Sequence, residues 1–464
     1  MSYSALVARK LSTVPPTGLP EVPPLPDSLF PHQKALTAWA IKRGRCAIFA
    51  DTGLGKTRIQ VEWADAVQKY TDGAVLILAP LAVAAQTVKE GAAVGVNVNL
   101  CRAPGDLKHG INITNYDRLH KFNPASFTGI VLDESSCIKH HDTQTLAHLL
   151  TAFRNTPFKL CASATPAPND WTELGTHAEF LGICSRVEML SEYFCHDGAE
   201  TQVWRLKGHA QGAFWRWVST WGAMVRKPSD LGYDDSAYAL PPLKVHEHII
   251  ASDHAEANAA GMLFQFEAAT LSERRSARRA SMTHRVAECA ALVNADKKHW
   301  VVWCDLNAES DALTAAIDGA VEIRGSQDAD TKEQILLDFA AGKIRVLVSK
   351  PSITGFGLNW QHCSRMAFVG VTDSFESYYQ AVRRCWRFGQ KKPVNVHLFV
   401  SELEGAVLAN LKRKEADAKA MGDMLSAETL AAVKDSVLGL TRETNPYDPA
   451  LRIAAPAWLQ TEGA

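Results

Sequence analysis

The sequence lacks a long apolar run, and it also lacks the marks of an exported protein. None of its hydrophobic segments reaches the roughly 18–20 residues that a transmembrane helix requires. The N-terminal segment MSYSALVARKLSTVPP has no apolar core of the kind found in secretory signals. These absences disfavour membrane and secreted proteins, and we expect a cytoplasmic protein without membrane partners.

An excess of charge of one sign is also missing, because 49 basic residues face 50 acidic ones in the 464-residue chain. A protein that coats nucleic acid, or that acts as a histone does, is strongly basic, so this class is disfavoured. A motor that grips a phosphate backbone through a few local contacts stays allowed, since such contacts need only a local surplus of positive charge.

Paired cysteines are missing too. The ten cysteines are scattered, none forms a CxxC pair, and no Cys/His cluster has zinc-finger spacing. Cys195 and His196 come closest to a ligand pair, and one adjacent pair makes no metal site. We therefore expect reduced cysteines that serve packing, and no structural zinc.

What the chain does contain is an alternation of short apolar runs and helix-like stretches in two blocks. The length allows two to four domains. Apolar strands separated by helices indicate a parallel sheet covered on both faces, so we predict an α/β fold with two lobes. The expected strands are AIFA, AVLILAP, GINITNY, GIVLDE and FKLCASAT in the first block, and WVVWCDL, AVEIRG, IRVLVSK, RMAFVGV and NVHLFVS in the second.

The predicted domain boundaries follow the changes in this pattern. Seven prolines between Pro15 and Pro31 indicate an extended arm. The expected parts are a proline-rich arm over 1–29, a first lobe over 30–182, a helical insert and linker over 183–298, a second lobe over 299–403, and a C-terminal helix and tail over 404–464.

Two features of the predicted insert leave alternatives open. Its tryptophans form either a small helical core or a surface on which bases stack. They are Trp204, Trp215, Trp217 and Trp221. Five arginines further on line either a solvated helix face or a surface that follows phosphates. They are Arg274, Arg275, Arg278, Arg279 and Arg285.

The strongest local signal is the segment Ala50-Asp51-Thr52-Gly53-Leu54-Gly55-Lys56-Thr57, between an apolar strand and a helical stretch. This strand–loop–helix context is the one that a phosphate-binding loop requires. Gly53 and Gly55 let backbone amides wrap around phosphate oxygens. Lys56 is expected to contact the β- and γ-phosphates of ATP, and the Thr57 hydroxyl to bind Mg²⁺. Ala50 stands where the general pattern has its first glycine.

Two acids follow another apolar strand, in Gly129-Ile130-Val131-Leu132-Asp133-Glu134. Both are therefore expected at the carboxyl edge of the sheet, where open α/β sheets bind their ligands. We predict that Asp133 holds Mg²⁺ and that Glu134 orients and deprotonates an attacking water molecule.

Three polar residues outside these segments are further candidates. The Gln33 amide suits the donor–acceptor edge of adenine, although a glutamine at a helix start is the plainer interpretation. Arg384 and Arg387 are three residues apart and share a helix face. They either stabilise charge on a γ-phosphate, as arginine fingers do, or belong to an ordinary surface helix.

Taken in order, these segments resemble the motifs of superfamily-2 helicase-type ATPases, and within them the Swi/Snf-type branch of nucleic-acid translocases. The resemblance spans about residues 30 to 400. After Gln33 it includes DTGLGKT at 51–57 (motif I), LILAPLAVAAQ at 76–86 (Ia), DESSCIKH at 133–140 (II), SATP at 163–166 (III), MVRKPSDLG at 224–232 with LPP at 240–242, VVWCDL at 301–306 (IV), IRGSQDADTKEQILLDFAAG at 323–342, SITGFGLNW at 352–360 (V) and QAVRRCWRFGQ at 380–390 (VI).

The resemblance implies two RecA-like lobes with ATP and Mg²⁺ between them and nucleic acid across both. It implies that Gln33 reads adenine and that the nucleotide is bound by Thr52, Gly53, Leu54, Gly55, Lys56, Thr57, Gly357 and Gln380. It also implies nucleic-acid contacts at Ser349, Thr354 and Asn359.

Two motifs depart from the family pattern. Motif II usually has Ala or Gly and then His after its acids, where this chain has Ser135 and Ser136. Motif V usually reads Gly-Gly-Leu-Gly, whereas 355–358 reads Gly-Phe-Gly-Leu. The first departure puts the strength of coupling between the ATP site and the second lobe in question.

The leading hypothesis is an ATP-hydrolysing translocase on DNA, with duplex DNA favoured, in bacterial or phage-linked replication or recombination. A strand-separating helicase on DNA or RNA is the alternative within enzymes. A nucleic-acid-binding scaffold with a weak ATP site is the alternative of another class. The two serines of motif II favour the scaffold, whereas the intact lysine, acids and arginines argue against it.

Overall fold

Thirteen of the fifteen strands in the described residues form two parallel sheets, one in each half of the chain. The computed structural model describes residues 14–80, 83–138, 141–167, 170–197, 200–250, 278–354, 359–370, 374–402, 407–416 and 433–439. The strands are β1 Arg45–Ala50, β2 Ala74–Ala79, β3 Val98–Leu100, β4 Ile111–Asn115, β5 Phe127–Asp133, β6 Phe158–Ser163, β7 Phe194–Asp197, β8 Glu200–Leu206, β9 Gly222–Val225, β10 Leu243–Ile250, β11 Trp300–Cys304, β12 Ala320–Glu322, β13 Val346–Ser349, β14 Arg365–Val369 and β15 Val394–Ser401.

One helix precedes β1 and the others alternate with the strands. They are α1 Pro31–Arg43, α2 Lys56–Thr71, α3 Val83–Ala93, α4 Gln144–Ala152, α5 Leu174–Leu181, α6 Arg186–Tyr193, α7 Gln211–Ser219, α8 Met282–Asn294, α9 Asn307–Ala316, α10 Ala329–Ala340, α11 Pro351–Thr354 and α12 Phe375–Val382. Residues 407–416 and 433–438 are also helical. In the part of the chain that the structure describes, no helix combines the length and apolar character needed to cross a bilayer.

The first sheet has the strand order β3-β4-β2-β5-β6-β1-β9, and all its strands pair in parallel. Alternate residues of β1 enter the two cores on its faces, with Ile48 in one and Phe49 in the other. This burial on both sides is the reason that the strands read as continuous apolar runs.

The second sheet has the order β10-β15-β14-β11-β13-β12, again entirely parallel. Trp303 faces one core and Val302 the other. The five strands predicted in each block are present, and the predicted class of two α/β lobes with RecA-like parallel sheets is confirmed.

The region expected as a helical insert contributes to both sheets. Within 183–298, β9 pairs with β1 and β10 pairs with β15, while β7 and β8 form a separate antiparallel hairpin. The expectation of a helical region is wrong for these strands. The burial pattern of β10 is mostly exposed, as suits an edge strand, so its sequence carries no continuous apolar run.

The alternatives for the tryptophans and arginines of this region are also decided in part. Trp215 and Trp221 are buried in the first lobe, which confirms their role in packing. Arg285 is fully buried with its Nη2 2.8 Å from Glu309 Oε1, and buried Arg278 lies 2.5 Å from Asp305 Oδ2. These two arginines form internal ion pairs, so neither earlier interpretation holds for them. Arg274 and Arg275 lie outside the described residues.

Candidate active site

The turn between β1 and α2 is built around two glycines with left-handed backbone. Gly53 has φ 93° and Gly55 has φ 84°. A Cβ on Gly55 would lie 2.1 Å from Gln33 Nε2, and one on Gly53 would lie 2.9 Å from Phe388 Cβ. Both the backbone angle and the close neighbours therefore require glycine. The strand, turn and helix lie where the sequence predicted them.

Lys56 is held by the loop from which it comes. Its Nζ donates to the Ala50 carbonyl at 2.8 Å and to the Asp51 carbonyl at 3.4 Å. Burial lowers the pKa of the amine, and the nearby carboxylates of Glu134, Asp51 and Asp133 act in the opposite direction. An anion entering the loop would compete with these carbonyls for the ammonium group.

Strand β5 ends at Asp133 and Glu134 follows it, and both residues face the same cleft as the loop. Gln60 Nε2 donates to Asp133 Oδ1 at 2.7 Å. Burial raises the pKa of the Asp133 carboxyl to about 6, since the ionised form is poorly solvated there. A bound cation would favour the ionised form, so Asp133 and the cleft-lining Thr57 suit a hard divalent cation such as Mg²⁺.

Glu134 has φ 56°, and its Oε1 accepts hydrogen bonds from three directions. Ser136 Oγ and Ser163 Oγ donate to it at 3.4 Å each, and Gln380 Nε2 donates at 3.3 Å from the second lobe. Glu134 thus joins the predicted motifs II, III and VI.

The neighbouring Ser135 faces the other way, into the first lobe. Its Oγ lies 3.2 Å from Nε2 of the buried His177. The two serines that replace the family residues are therefore both hydrogen-bonded, one toward the cleft and one toward the core.

The second lobe supplies arginines to the cleft. Arg384 is buried, with Nη2 donating to Gln380 Oε1 and Nε to the Gln380 carbonyl, each at 3.0 Å. Arg387 lines the cleft, and among the described residues its buried Nε has no hydrogen-bond partner. Burial, with Arg384 as a positive neighbour, lowers the Arg387 pKa to about 9. A buried guanidinium that has an unpaired N–H donor and a positive neighbour is suited to bind an anionic ligand.

An aromatic group closes one end of the cleft. The rings of Phe30 and Tyr238 are 5.7 Å apart, those of Tyr238 and Phe388 4.7 Å, and those of Phe30 and Phe388 6.0 Å. Gln33 lies beside them, with Oε1 accepting from Phe30 N and Nε2 donating to the Leu54 carbonyl, each at 3.1 Å. Flat apolar rings next to an amide suit a purine base.

The structure adds a contact between the lobes that sequence reasoning missed. Arg383 Nη2 lies 2.5 Å from Asp51 Oδ2, and Tyr379 OH donates to Asp51 Oδ1 at 2.8 Å. The Arg383 guanidinium also lies 4.8 Å from the centre of the Trp386 ring. The sequence alone does not show that Arg383 has a different partner from Arg384 and Arg387. No motif marks Tyr238 as part of the cleft.

The predicted site residues do not all meet in this cleft. Thr52, Gly53, Gly55, Lys56 and Thr57 line it with Gln33. Leu54 is buried and contributes its carbonyl, and Gln380 is buried behind the cleft. Gly357 lies outside the described residues.

The three residues expected to contact nucleic acid do not form one exposed surface. Ser349 is fully buried, and its hydroxyl donates to the Ile323 carbonyl at 3.2 Å. The Thr354 side chain is buried as well, and Asn359 lines the same cleft as Lys56. Side-chain contacts from Ser349 and Thr354 to nucleic acid are therefore not available in this structure, because both side chains are buried, at the ends of β13 and α11.

The second lobe is similar to known proteins. Residues 287–389 match the family described as "Helicase conserved C-terminal domain". A stretch of 106 residues, 23% of this chain, is 28% identical to "ATP-dependent RNA helicase FAL1" of Kluyveromyces lactis. The matched stretch spans a quarter of the length of that relative. The second lobe is therefore similar to the C-terminal domain of helicases.

Proposed function

We propose that this chain is an ATP-dependent motor that moves along nucleic acid, with duplex DNA as its track. The observation that carries the proposal is the convergence of both lobes on one cleft. Lys56, Asp133 and Glu134 reach it from the first lobe, and Arg384 and Arg387 from the second. A site assembled from two bodies changes when the bodies move, so ligand turnover and lobe movement are coupled.

Each group has a role that its surroundings support. The glycine turn and Lys56 bind the β- and γ-phosphates of ATP, with the amides at the start of α2 directed at the same anion. Glu134 orients the attacking water and accepts its proton. Arg384 and Arg387 stabilise the negative charge that grows on the transferred phosphoryl group.

The remaining contacts position the nucleotide. Thr57 and Asp133 would hold Mg²⁺, which supplies positive charge against the phosphate oxygens when bound. Gln33 reads the adenine edge after exchanging its bond to the Leu54 carbonyl. Gln380 is hydrogen-bonded to both Glu134 and Arg384, so it connects the water-activating carboxylate of the first lobe with the second lobe.

The choice of duplex DNA rests on the motif order, which resembles the Swi/Snf-type branch. That branch commonly moves along duplexes without separating the strands. The second candidate is a strand-separating helicase on RNA, which is favoured by the similarity to a protein named as an ATP-dependent RNA helicase.

The test is steady-state ATP hydrolysis without nucleic acid and with duplex DNA, single-stranded DNA and RNA. Lys56→Ala removes the ammonium group from the loop and should lower kcat/KM by at least about a hundredfold, since it removes charge that stabilises the transition state. Lys69→Ala is the matched control, because Lys69 lies on the same helix and its side chain is 70% exposed.

The outcomes separate the candidates. Stimulation by duplex DNA that Lys56→Ala abolishes supports the translocase. Stimulation by RNA alone would transfer the assignment to the second candidate. Hydrolysis that is absent under every condition, with ATP still bound, would contradict the motor and leave a binding scaffold.

A further inference from the structure

A second set of contacts joins the lobes far from the glycine turn. Arg102 Nη2 lies 3.2 Å from Glu333 Oε2 and its Nη1 3.8 Å from Asp330 Oδ1, while Arg118 Nη2 lies 3.9 Å from the same Asp330 oxygen. We call these four residues the arginine–carboxylate cluster. The arginines belong to the first lobe, and both acids lie on α10 of the second.

The cluster stands apart from the nucleotide cleft. Arg102 follows β3 and Arg118 follows β4, which are five and four positions from β1 in the strand order of the first sheet. At the usual spacing between strands, this places them about 19–24 Å across the sheet from the glycine turn. They nevertheless lie at the same carboxyl edge, which faces the second lobe.

Hydrogen bonds within the first lobe hold the backbone of the two arginines. Asp106 Oδ2 accepts hydrogen bonds from the backbone amides of Arg102 at 2.8 Å and Ala103 at 2.9 Å. Asn115 Oδ1 accepts from the Arg118 amide at 3.0 Å and caps the short helix Tyr116–Lys121. The backbone at both positions is thus fixed to the first lobe, while the guanidinium groups reach acids of the second.

Of the two acids, Asp330 is the less firmly held. The Asp330 side chain is 67% exposed and its two contacts are long, so these ion pairs lie near solvent and contribute little to stability. A phosphate oxygen is a strong acceptor for guanidinium donors and would compete directly with these carboxylates.

We infer that Arg102 and Arg118 form a binding surface for the phosphate backbone of nucleic acid, and that Asp330 and Glu333 occupy this surface until the nucleic acid displaces them. The inference rests on the proposed function for the identity of the anion. It adds that the chain inhibits its own binding through α10, and that an arriving backbone releases this end of the second lobe.

The test is equilibrium binding of a fluorescein-labelled 30-base-pair DNA duplex to the full chain without ATP, repeated over a range of salt concentrations. The double variant Asp330→Asn with Glu333→Gln should bind about five- to twentyfold more tightly, because it removes the competing charges. The matched control is Asp338→Asn, on the same helix, whose carboxylate lies 2.8 Å from Lys343 Nζ and outside the cluster. It should change the Kd by less than twofold.

The reverse variant probes the surface itself. Arg102→Gln with Arg118→Gln should weaken binding and should reduce the slope of log K against log salt by about two, one for each lost phosphate contact. Equal Kd values for wild type, the acid double variant and Asp338→Asn would overturn the inference. Because no ATP is present, that result would leave the motor function standing.

Failure of the proposed function gives a different result. If neither the wild type nor the acid double variant binds duplex DNA, single-stranded DNA or RNA, the nucleic-acid motor and the cluster inference both fall. Thermal melting of each variant confirms that it is folded before its Kd is compared.

Discussion

At the residue scale, Glu134 shows how a departure from a family pattern can still serve the same purpose. Ser136 stands where the family has histidine, and its hydroxyl donates to Glu134 Oε1 at 3.4 Å. Ser163 and Gln380 donate to that oxygen as well. A common acceptor therefore joins the two lobes, so the serine does not by itself argue for an uncoupled site.

His177 makes the stability of this region depend on pH. It is fully buried, and burial lowers its pKa from 6.5 to about 4. As pH falls, the unfolded chain binds a proton on this side chain before the folded chain does. The contribution of neutral His177 to the free energy of unfolding is therefore fully present above pH 6.5. It is lost as pH falls toward 4, by about 2 kcal/mol between pH 7 and 5.

The measurement is the free energy of unfolding at several pH values for wild type and His177→Gln. The variant should lose about 2 kcal/mol less than wild type between pH 7 and 5, since glutamine does not titrate. His209→Gln, at an exposed position, is the control and should keep the wild-type dependence. Parallel curves for wild type and His177→Gln would refute the assignment.

At the element scale, the turn from β1 to α2 depends on two separate properties of glycine. Gly55→Ala places a Cβ in a left-handed conformation, which costs about 1–2 kcal/mol, and pushes it against Gln33 Nε2. We expect ATP affinity to fall at least about tenfold, because both the loop amides and the neighbouring Gln33 must move. Titration with a fluorescent ATP analogue measures this loss.

Gly95→Ala separates the two effects. Gly95 has φ 81°, and an added Cβ there would meet nothing within 4 Å. This variant should show a similar loss of thermal stability with unchanged nucleotide affinity. Equal nucleotide affinity in both variants would mean that the approach of Gln33 to the loop has no part in binding.

Elements that follow a buried strand are the ones that the sequence could predict. The glycine turn and the Asp133–Glu134 pair each follow a buried strand, so apolar runs and local spacing locate them. The contact between Asp51 and Arg383 joins positions 332 residues apart, and no local pattern encodes it. β10 has no such signal because an edge strand needs no apolar run, and the sequence does not show that Ser349 is buried because a small polar residue occurs at buried and exposed positions alike.

At the scale of the whole molecule, the lobes are joined at both ends of their interface. Asp51 and Arg383 hold the end beside the glycine turn at 2.5 Å, and Arg102 and Glu333 hold the other at 3.2 Å. The first contact is mostly buried and the second half exposed on its arginine side. An anion that displaces the outer contact would let the lobes turn about the inner one.

The C-terminal segments add a contact with each lobe. Val407, Leu408 and Leu411 pack into a core of the second lobe. Val433 and Val437 pack instead into a core of the first, where Ser436 Oγ accepts from Trp39 Nε1 at 3.0 Å and Arg43 Nη2 at 3.3 Å. The chain therefore returns to the first lobe after leaving the second.

This return predicts that the segment 433–437 stabilises α1, which contains Gln33 and precedes β1 and the glycine turn. Val433→Ala with Val437→Ala removes apolar burial worth about 3 kcal/mol. Hydrogen exchange should then accelerate in α1 and leave α9 and α10 unchanged, because local opening follows the contacts that are lost. Val407→Ala, the matched control, should accelerate exchange in the second lobe alone. Unaltered protection of α1 in the double variant would show that the first lobe holds this helix without the returning segment.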